Sequence, residues 1–224
     1  QPVAAIGDKV YAAESVLEVD EQNAAALVEP GVRFFDLYDH LRATGSKLWM
    51  SVPDLGWGSV VGNTLDHGVG YTPTGDHVGQ QCGMEVVLAN GELLRTGMGA
   101  MSNARAAMVH KRNCGPSADG LFMQSNFGIV TKMGLWLMQP PECYMPGWLT
   151  LRKDSDLELL LEKLRPLMMD GTISNQPMII NAVCAMSAFA GREDWYTGAG
   201  PMPESVIDEI AKQPMLGRWV MRFA

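Results

Sequence analysis

The segment Pro53-Asp-Leu-Gly-Trp-Gly-Ser-Val-Val-Gly-Asn63 and its continuation Gly68-Val-Gly-Tyr-Thr-Pro-Thr-Gly-Asp-His77 carry six glycines in 25 residues. Eleven of the chain's 24 glycines lie between Gly56 and Gly99, so the excess marks a place rather than a general looseness. A dinucleotide fingerprint would need G-x-G-x-x-G opening a helix, because the helix N-terminus holds the pyrophosphate. Here Gly56-x-Gly58 followed by Gly62 is one residue too long, and no helix continues through Gly68, Gly70 and Pro73. A P-loop is excluded too, since no Gly-Lys-Ser/Thr occurs. A turn-rich surface loop stands as the plain alternative. Against it, Leu55, Trp57, Val60, Val61, Leu65 and Val69 thread apolar side chains through the belt, whereas an ordinary loop is polar. Glycines interleaved with apolar residues let a backbone lie directly against a flat ligand, its N–H groups aimed at ring heteroatoms and phosphates.

On the N-terminal side, Leu17-Glu-Val19 and Ala26-Leu-Val28 read as short strands around the polar turn Asp20-Glu-Gln-Asn23. Phe34 to Leu41 repeats apolar residues at three and four, an amphipathic helix that Gly45 ends. Leu48-Trp-Met50 is a brief strand entering the belt. On the C-terminal side, Met84–Ala89 and Glu92–Thr96 flank Asn90-Gly91, a strong hairpin signal, with Glu85 and Glu92 expected in solvent. Residues 97–118 are irregular, and Phe127 to Met138 is a strand closed by Pro140-Pro141. Beyond lie the strand Trp148–Leu151, a helix from Leu157 to Leu167 opened by the capping-box pattern Ser155-x-x-Glu158, and the strand Met178–Ile180. A helix starting at Pro203 and the strand Trp219–Met221 complete an α+β arrangement. The change of texture puts a domain boundary near 141, giving domains 1–141 and 142–224.

Composition sets limits. At 47% hydrophobic and 19% charged residues the chain is neither disordered nor fibrous. A net charge of −8 argues against a nucleic-acid binder, and no apolar run reaches the roughly 20 residues of a membrane span. The N-terminus has no charged-then-apolar signal segment. Cys82, Cys114, Cys143 and Cys184 form no CxxC, and the four histidines are scattered, so no metal site is expected. Buried thiols in a reducing, cytoplasmic compartment are the default. The chain begins at Gln1 without an initiator methionine and ends within the apolar Gly217–Ala224, so both ends read as cut.

Several long strings then carry a resemblance. Pro53-Asp-Leu-Gly-Trp-Gly-Ser, Gly68-Val-Gly-Tyr-Thr-Pro, Gly75-Asp-His, Gly83 to Gly99 and Asp119 to Lys132 resemble the vanillyl-alcohol oxidase, eugenol oxidase and 4-cresol dehydrogenase family. The resemblance implies the second half of a two-part FAD-binding domain, followed by the start of a ferredoxin-like α+β cap domain. It implies oxidation of para-substituted phenols bound as phenolates, with hydride passing from the benzylic carbon to flavin N5 and a p-quinone methide forming. Asp54 matches the family's acidic residue beside N5; the alternative is that it merely caps a turn after Pro53. Val69 matches a substrate-pocket residue. Pro53, Leu55, Gly58, Ser59, Gly62, Asn63, Gly70, Tyr71, Gly75 and Asp76 would contact FAD. Gly128, Ile129 and Val130 would pack near its adenosine half, although Ile129 and Val130 equally suit plain strand core. His77 reads first as a histidine hydrogen-bonded in a glycine-rich turn.

The same resemblance implies a small phenolic substrate, oxygen or a cytochrome as electron acceptor, and a homo-oligomer at full length. The family's pyrophosphate loop would precede Gln1, and the residue linking FAD covalently would lie beyond Ala224. The chain alone is then expected to hold FAD weakly or not at all. Two other readings stay open: an FAD-dependent 2-hydroxyacid (D-lactate type) dehydrogenase, which shares the fold but lacks these strings, and a flavin-free remnant without activity.

Overall fold

A computed structural model describes residues 13–111 and 115–223. The chain divides into two compact units, Gln1–Glu142 and Cys143–Ala224.

The first unit is built on a five-stranded sheet of order β1-β2-β5-β3-β4, in which every paired neighbour is antiparallel. Its strands are β1 (Val16–Asp20), β2 (Ala25–Val28), β3 (Gln81–Leu88), β4 (Leu93–Arg95) and β5 (Gly128–Trp136). The β1–β2 turn at residues 21–24 and the β3–β4 turn at Asn90-Gly91 fall where the polar and Asn-Gly signals put them. Gly91 supplies the positive φ of +84° that this turn needs. Helix α1 (Phe34–Ala43) follows its apolar spacing, burying Phe34, Leu37 and Leu41 against one face of the sheet. Its start is held by Arg33, whose backbone N–H and guanidinium both donate to Asp36 in the first turn. Val28, Val32, Val60, Val61, Met84, Val86, Val130 and Met133 join the same core.

Three local expectations need correction. Leu48–Met50 is not a strand; it contributes a single bridge, Trp49 with Met138. The hairpin's first arm begins at Gln81 rather than Met84, with bulges that let Gln81 and Cys82 turn inward. Within the belt, two short helices form, α2 (Val60–Leu65) and α3 (His77–Gln80). Glycine density hides them in the sequence, yet α2 has an N-cap, Ser59 Oγ accepting from Gly62 N–H at 3.0 Å, and an apolar pair, Val60 and Val61, to bury.

The second unit has a three-stranded antiparallel sheet of order β6-β8-β7: β6 (Gly147–Leu151), β7 (Met178–Asn181) and β8 (Trp219–Phe223). Successive residues of a strand face opposite ways. Val220 accordingly packs with Ala182 and Ile210 from α5 (Ala182–Met186) and α6 (Glu204–Ala211), while Met221 packs with Leu164 of α4 (Asp156–Met169). The predicted capping box at Ser155 does not form. Ser155 already has helical dihedrals, and its side chain makes no cap bond. Helix α5 has no sequence signal beyond Asn181, which caps it by accepting from Cys184 N–H at 2.8 Å.

Candidate active site in the glycine belt

The belt is tied at both ends to residues that flank β5. At one end Trp49 and Met138 exchange backbone hydrogen bonds of 2.8 Å; at the other, Gln124 N–H donates to Leu65 C=O at 2.9 Å. The nine residues of β5 between these anchors span about 30 Å. Asp54 lies near the first end. Gly128 opens β5 just beyond Gln124, near the second.

Tyr71, seventeen residues on, donates its hydroxyl to Asp54 Oδ2 at 2.9 Å, and the pair is exposed. Tyr71 is brought there by a small hairpin. Val69 and Asp76 form an antiparallel bridge, and Gly70 N–H donates to Gly75 C=O at 2.9 Å. Within three residues of the pair along the chain are apolar side chains left uncovered: Leu55 at 70% exposure, Trp57 at 69% and Val69 at 49%. Trp57 is held upright by the edge of Phe35, 5.0 Å away, and by the Arg33 guanidinium over its ring. A carboxylate and a phenol hydroxyl set in an exposed apolar surface can orient an aromatic guest and exchange a proton with it.

The belt residues predicted to bind a ligand separate into two kinds. Ser59, Asn63, Gly70 and Gly75 are occupied by the protein itself. Ser59 Oγ donates to Pro30 C=O at 2.5 Å and caps α2. Asn63 Oδ1 faces His77 Nδ1 at 2.5 Å. A side chain on Gly75 would meet Gly70 C=O at 2.4 Å. Leu55 and Gly58 instead are exposed, with Pro53 half-buried, and a Cβ on Gly58 would find nothing nearer than Leu55 C=O at 3.7 Å. Gly62 and Asp76 are also exposed. On β5, Val130 is in the core at 6% exposure, while Ile129, its neighbour on the other face, is 38% exposed.

Other polar groups escaped the sequence reading because their partners are far apart along the chain. Asp119, buried, accepts from Thr96 Oγ1 on the hairpin, from Ser117 Oγ at 2.6 Å and from Gln81 Nε2 at 3.3 Å. Lys111 Nζ donates to the carbonyls of Val78 and Gly79 at the end of α3. Glu85 is not the solvated residue expected: its side chain is 12% exposed and paired with Arg95 and Lys132. Burial opposes the Glu85 charge, but those two cations and Thr131 hold its carboxyl below the ordinary 4.5.

Among the described residues no cluster of metal-ligating side chains occurs, and no helix is long and apolar enough to cross a membrane. Cys82 is buried, and burial pushes its thiol up to about 11. Cys143 and Cys184 are exposed, against the expectation of buried thiols, and Cys114 lies outside the described residues.

Known proteins similar to this chain are flavoproteins. A family described as "FAD binding domain" matches residues 10–97. The chain is 41% identical over 207 residues to the 4-cresol dehydrogenase [hydroxylating] flavoprotein subunit of Pseudomonas putida, covering 91% of this chain and 40% of that one. It superposes on p-cresol methylhydroxylase with substrate bound at a TM-score of 0.90 and 39% identity, covering 94% of this chain and 41% of the other. The isoeugenol complex of 4-ethylphenol oxidase from Gulosibacter chungangensis gives 0.90 and 40%, covering 94% and 40%. The chain thus spans about two fifths of the length of the relatives it matches.

Proposed function

We propose, given that this chain belongs to the FAD-linked family of vanillyl-alcohol oxidase, eugenol oxidase and 4-cresol dehydrogenase, that the protein containing it is an FAD-dependent oxidoreductase of para-substituted phenols. The observation that carries the reading is the Asp54–Tyr71 pair standing in an apolar surface the chain leaves uncovered. The belt's own geometry fits FAD. Leu55 and Trp57 offer exposed apolar area, Gly58 leaves room for close backbone approach, and the belt's two anchors flank a strand about 30 Å long, a span suited to an extended dinucleotide.

FAD, when bound, supplies the acceptor for the hydride leaving the benzylic carbon. The protein's part is positioning and charge. Asp54 presents a carboxylate where charge changes during transfer, and Tyr71 fixes which oxygen faces the reacting groups. Val69 and Leu55 exclude water and guide the phenol ring. Ile129, outward-facing on β5, serves the far end of the cofactor. The first unit is read as part of the FAD-binding domain and the second as the start of a cap domain. The oxidised phenol would then take up water, and oxygen or a cytochrome would be the final electron acceptor.

Anaerobic mixing of the full-length protein with vanillyl alcohol, eugenol and p-cresol tests the reading. At least one should bleach the flavin band, and Asp54→Asn should slow that bleaching about 10²–10³-fold. A flavin bleached by 2-hydroxy acids but by no phenol would overturn the assignment.

A further inference from the structure

Next to Tyr71 and Asp54 along the chain lies a buried node. His77 is 5% exposed, and its ring lies 5.7 Å from Phe34. Its Nδ1–H donates to Asn63 Oδ1, which fixes the tautomer and leaves a lone pair on Nε2. That Nε2 is buried without a hydrogen-bond partner, and so is Ser51 Oγ. The two atoms converge on one point. A Cβ on Gly70 would stand 2.7 Å from His77 Nε2, 2.1 Å from Ser51 Oγ and 2.9 Å from Val52 C=O. A cavity of about 30 Å³ adjoins them, bounded by Ser51, Thr64, His77 and Gln80, large enough for one water molecule. Both members of the exposed pair hang from this node: Asp54 is three residues after Ser51, and Tyr71 directly follows Gly70.

We propose that His77 is a positioning residue: as a neutral imidazole bound to Asn63, and to Ser51 through one water, it pegs the 69–76 hairpin against the 51–54 segment and sets the meeting of Tyr71 with Asp54. Charge is what this node excludes. Phe34, Leu37, Val60 and Leu135 line the same cavity. The charge that acts on the ring is Asp76, which favours its protonated form. Burial outweighs Asp76 and holds His77 below the ordinary 6.5. Protonation would put a cation among apolar side chains and replace the Nε2 lone pair with a hydrogen that needs an acceptor. The hairpin must then loosen, and Tyr71 with it.

This inference rests on the proposed function only where a reduction rate is measured. The test uses the full-length flavin-loaded protein, following the flavin absorption spectrum against pH and the rate of reduction by a para-phenol. The unaltered protein should show a reversible spectral change and a falling rate as pH drops below 6.5. His77→Phe should lower the rate roughly 10-fold at pH 8, the loss of one hydrogen-bonded peg. His77→Asn, which keeps a donor toward Asn63 and cannot be charged, should recover most of that loss and abolish the acid transition. Asn63→Asp should move the transition to higher pH, because its carboxylate stabilises the imidazolium. An acid transition retained in His77→Asn, or a His77→Phe protein matching the unaltered rate and profile, overturns the inference. If no phenol reduces the flavin, the substrate reading fails, and the spectral transition with its response to His77→Asn still decides this one.

Discussion

Two glycine-to-alanine substitutions separate the glycines the protein needs for itself from those it keeps for a guest. At Gly70 an added methyl carbon would meet Ser51 Oγ at 2.1 Å, His77 Nε2 at 2.7 Å and Val52 C=O at 2.9 Å. Ser51 can rotate, but the His77 ring is fixed by Asn63 and Phe34, and the Val52 carbonyl is backbone. Overpacking of this kind costs about 1–3 kcal/mol, and each kcal/mol lowers the thermal midpoint of a domain near this size by about 2–4 °C. Gly70→Ala should therefore melt roughly 2–12 °C lower. At Gly58 the nearest atom is Leu55 C=O at 3.7 Å, ordinary contact, so Gly58→Ala should leave the flavin-free protein within about 0.5 kcal/mol of the original. If FAD lies against that backbone, the same methyl clashes only in the complex, and a penalty of about 1–3 kcal/mol weakens FAD about 5- to 150-fold. Thermal melts of flavin-stripped full-length protein and a fluorescence titration with FAD measure both effects. Gly58→Ala with unchanged FAD affinity would refute a cofactor approaching at Gly58. Gly70→Ala with an unchanged midpoint would refute the packing account of the node.

Tyr71→Phe removes the donor to Asp54 Oδ2; a hydrogen bond to a charged group is worth about 1.5–3 kcal/mol when dry and less at this exposed pair, so flavin reduction should slow about 3- to 30-fold by stopped flow, with stability unchanged. Asp119→Ala strands Thr96 and Gln81 in the interior, and removes the acceptor of the exposed Ser117; it should cost about 2–4 kcal/mol in urea unfolding, whereas Asp119→Asn should cost less. Glu85 has a carboxyl held below its ordinary 4.5, so its contribution is complete above that pH and is lost as pH falls through the lowered folded value. Urea midpoints between pH 3 and 6 should accordingly drop less steeply for Glu85→Gln than for the unaltered protein.

Elements whose cause is local were legible in the sequence. The α1 stripe of Phe34, Leu37 and Leu41, the Asn90-Gly91 turn, and the strands 16–20, 25–28 and 128–136 each follow from a period or a turn residue within a few positions. The failures share the opposite property. Helix α2 is stabilised by the burial of Val60 and Val61, which depends on the sheet beneath them, and a glycine count penalises it. Ser155-x-x-Glu158 has the right letters, but the chain enters α4 already helical there, so the serine has no orphan amide to face. Glu85 seemed solvated beside its hairpin turn; pairing with Arg95 and Lys132 across β4 and β5 buries it.

At the site, the same division has a chemical meaning. Sequence placed Asp54 and Tyr71 in one belt by likeness of strings, but the 2.9 Å bond between them spans seventeen residues and obeys no spacing rule. The bond exists because Gly70 has no side chain. With any larger residue there, Ser51, Val52 and His77 could not close on the hairpin base, and Tyr71 would be carried away from the carboxylate. The glycine excess therefore serves two ends. Gly70 and Gly75 let the protein fold tightly enough to hold a carboxylate–phenol pair in place, while Gly58 keeps a stretch of backbone bare beside Leu55 and Trp57. A plain surface loop requires neither. A bed for a flat cofactor with an acid at its edge requires both, because the surface must stay open to the guest and the groups that act on it must not move.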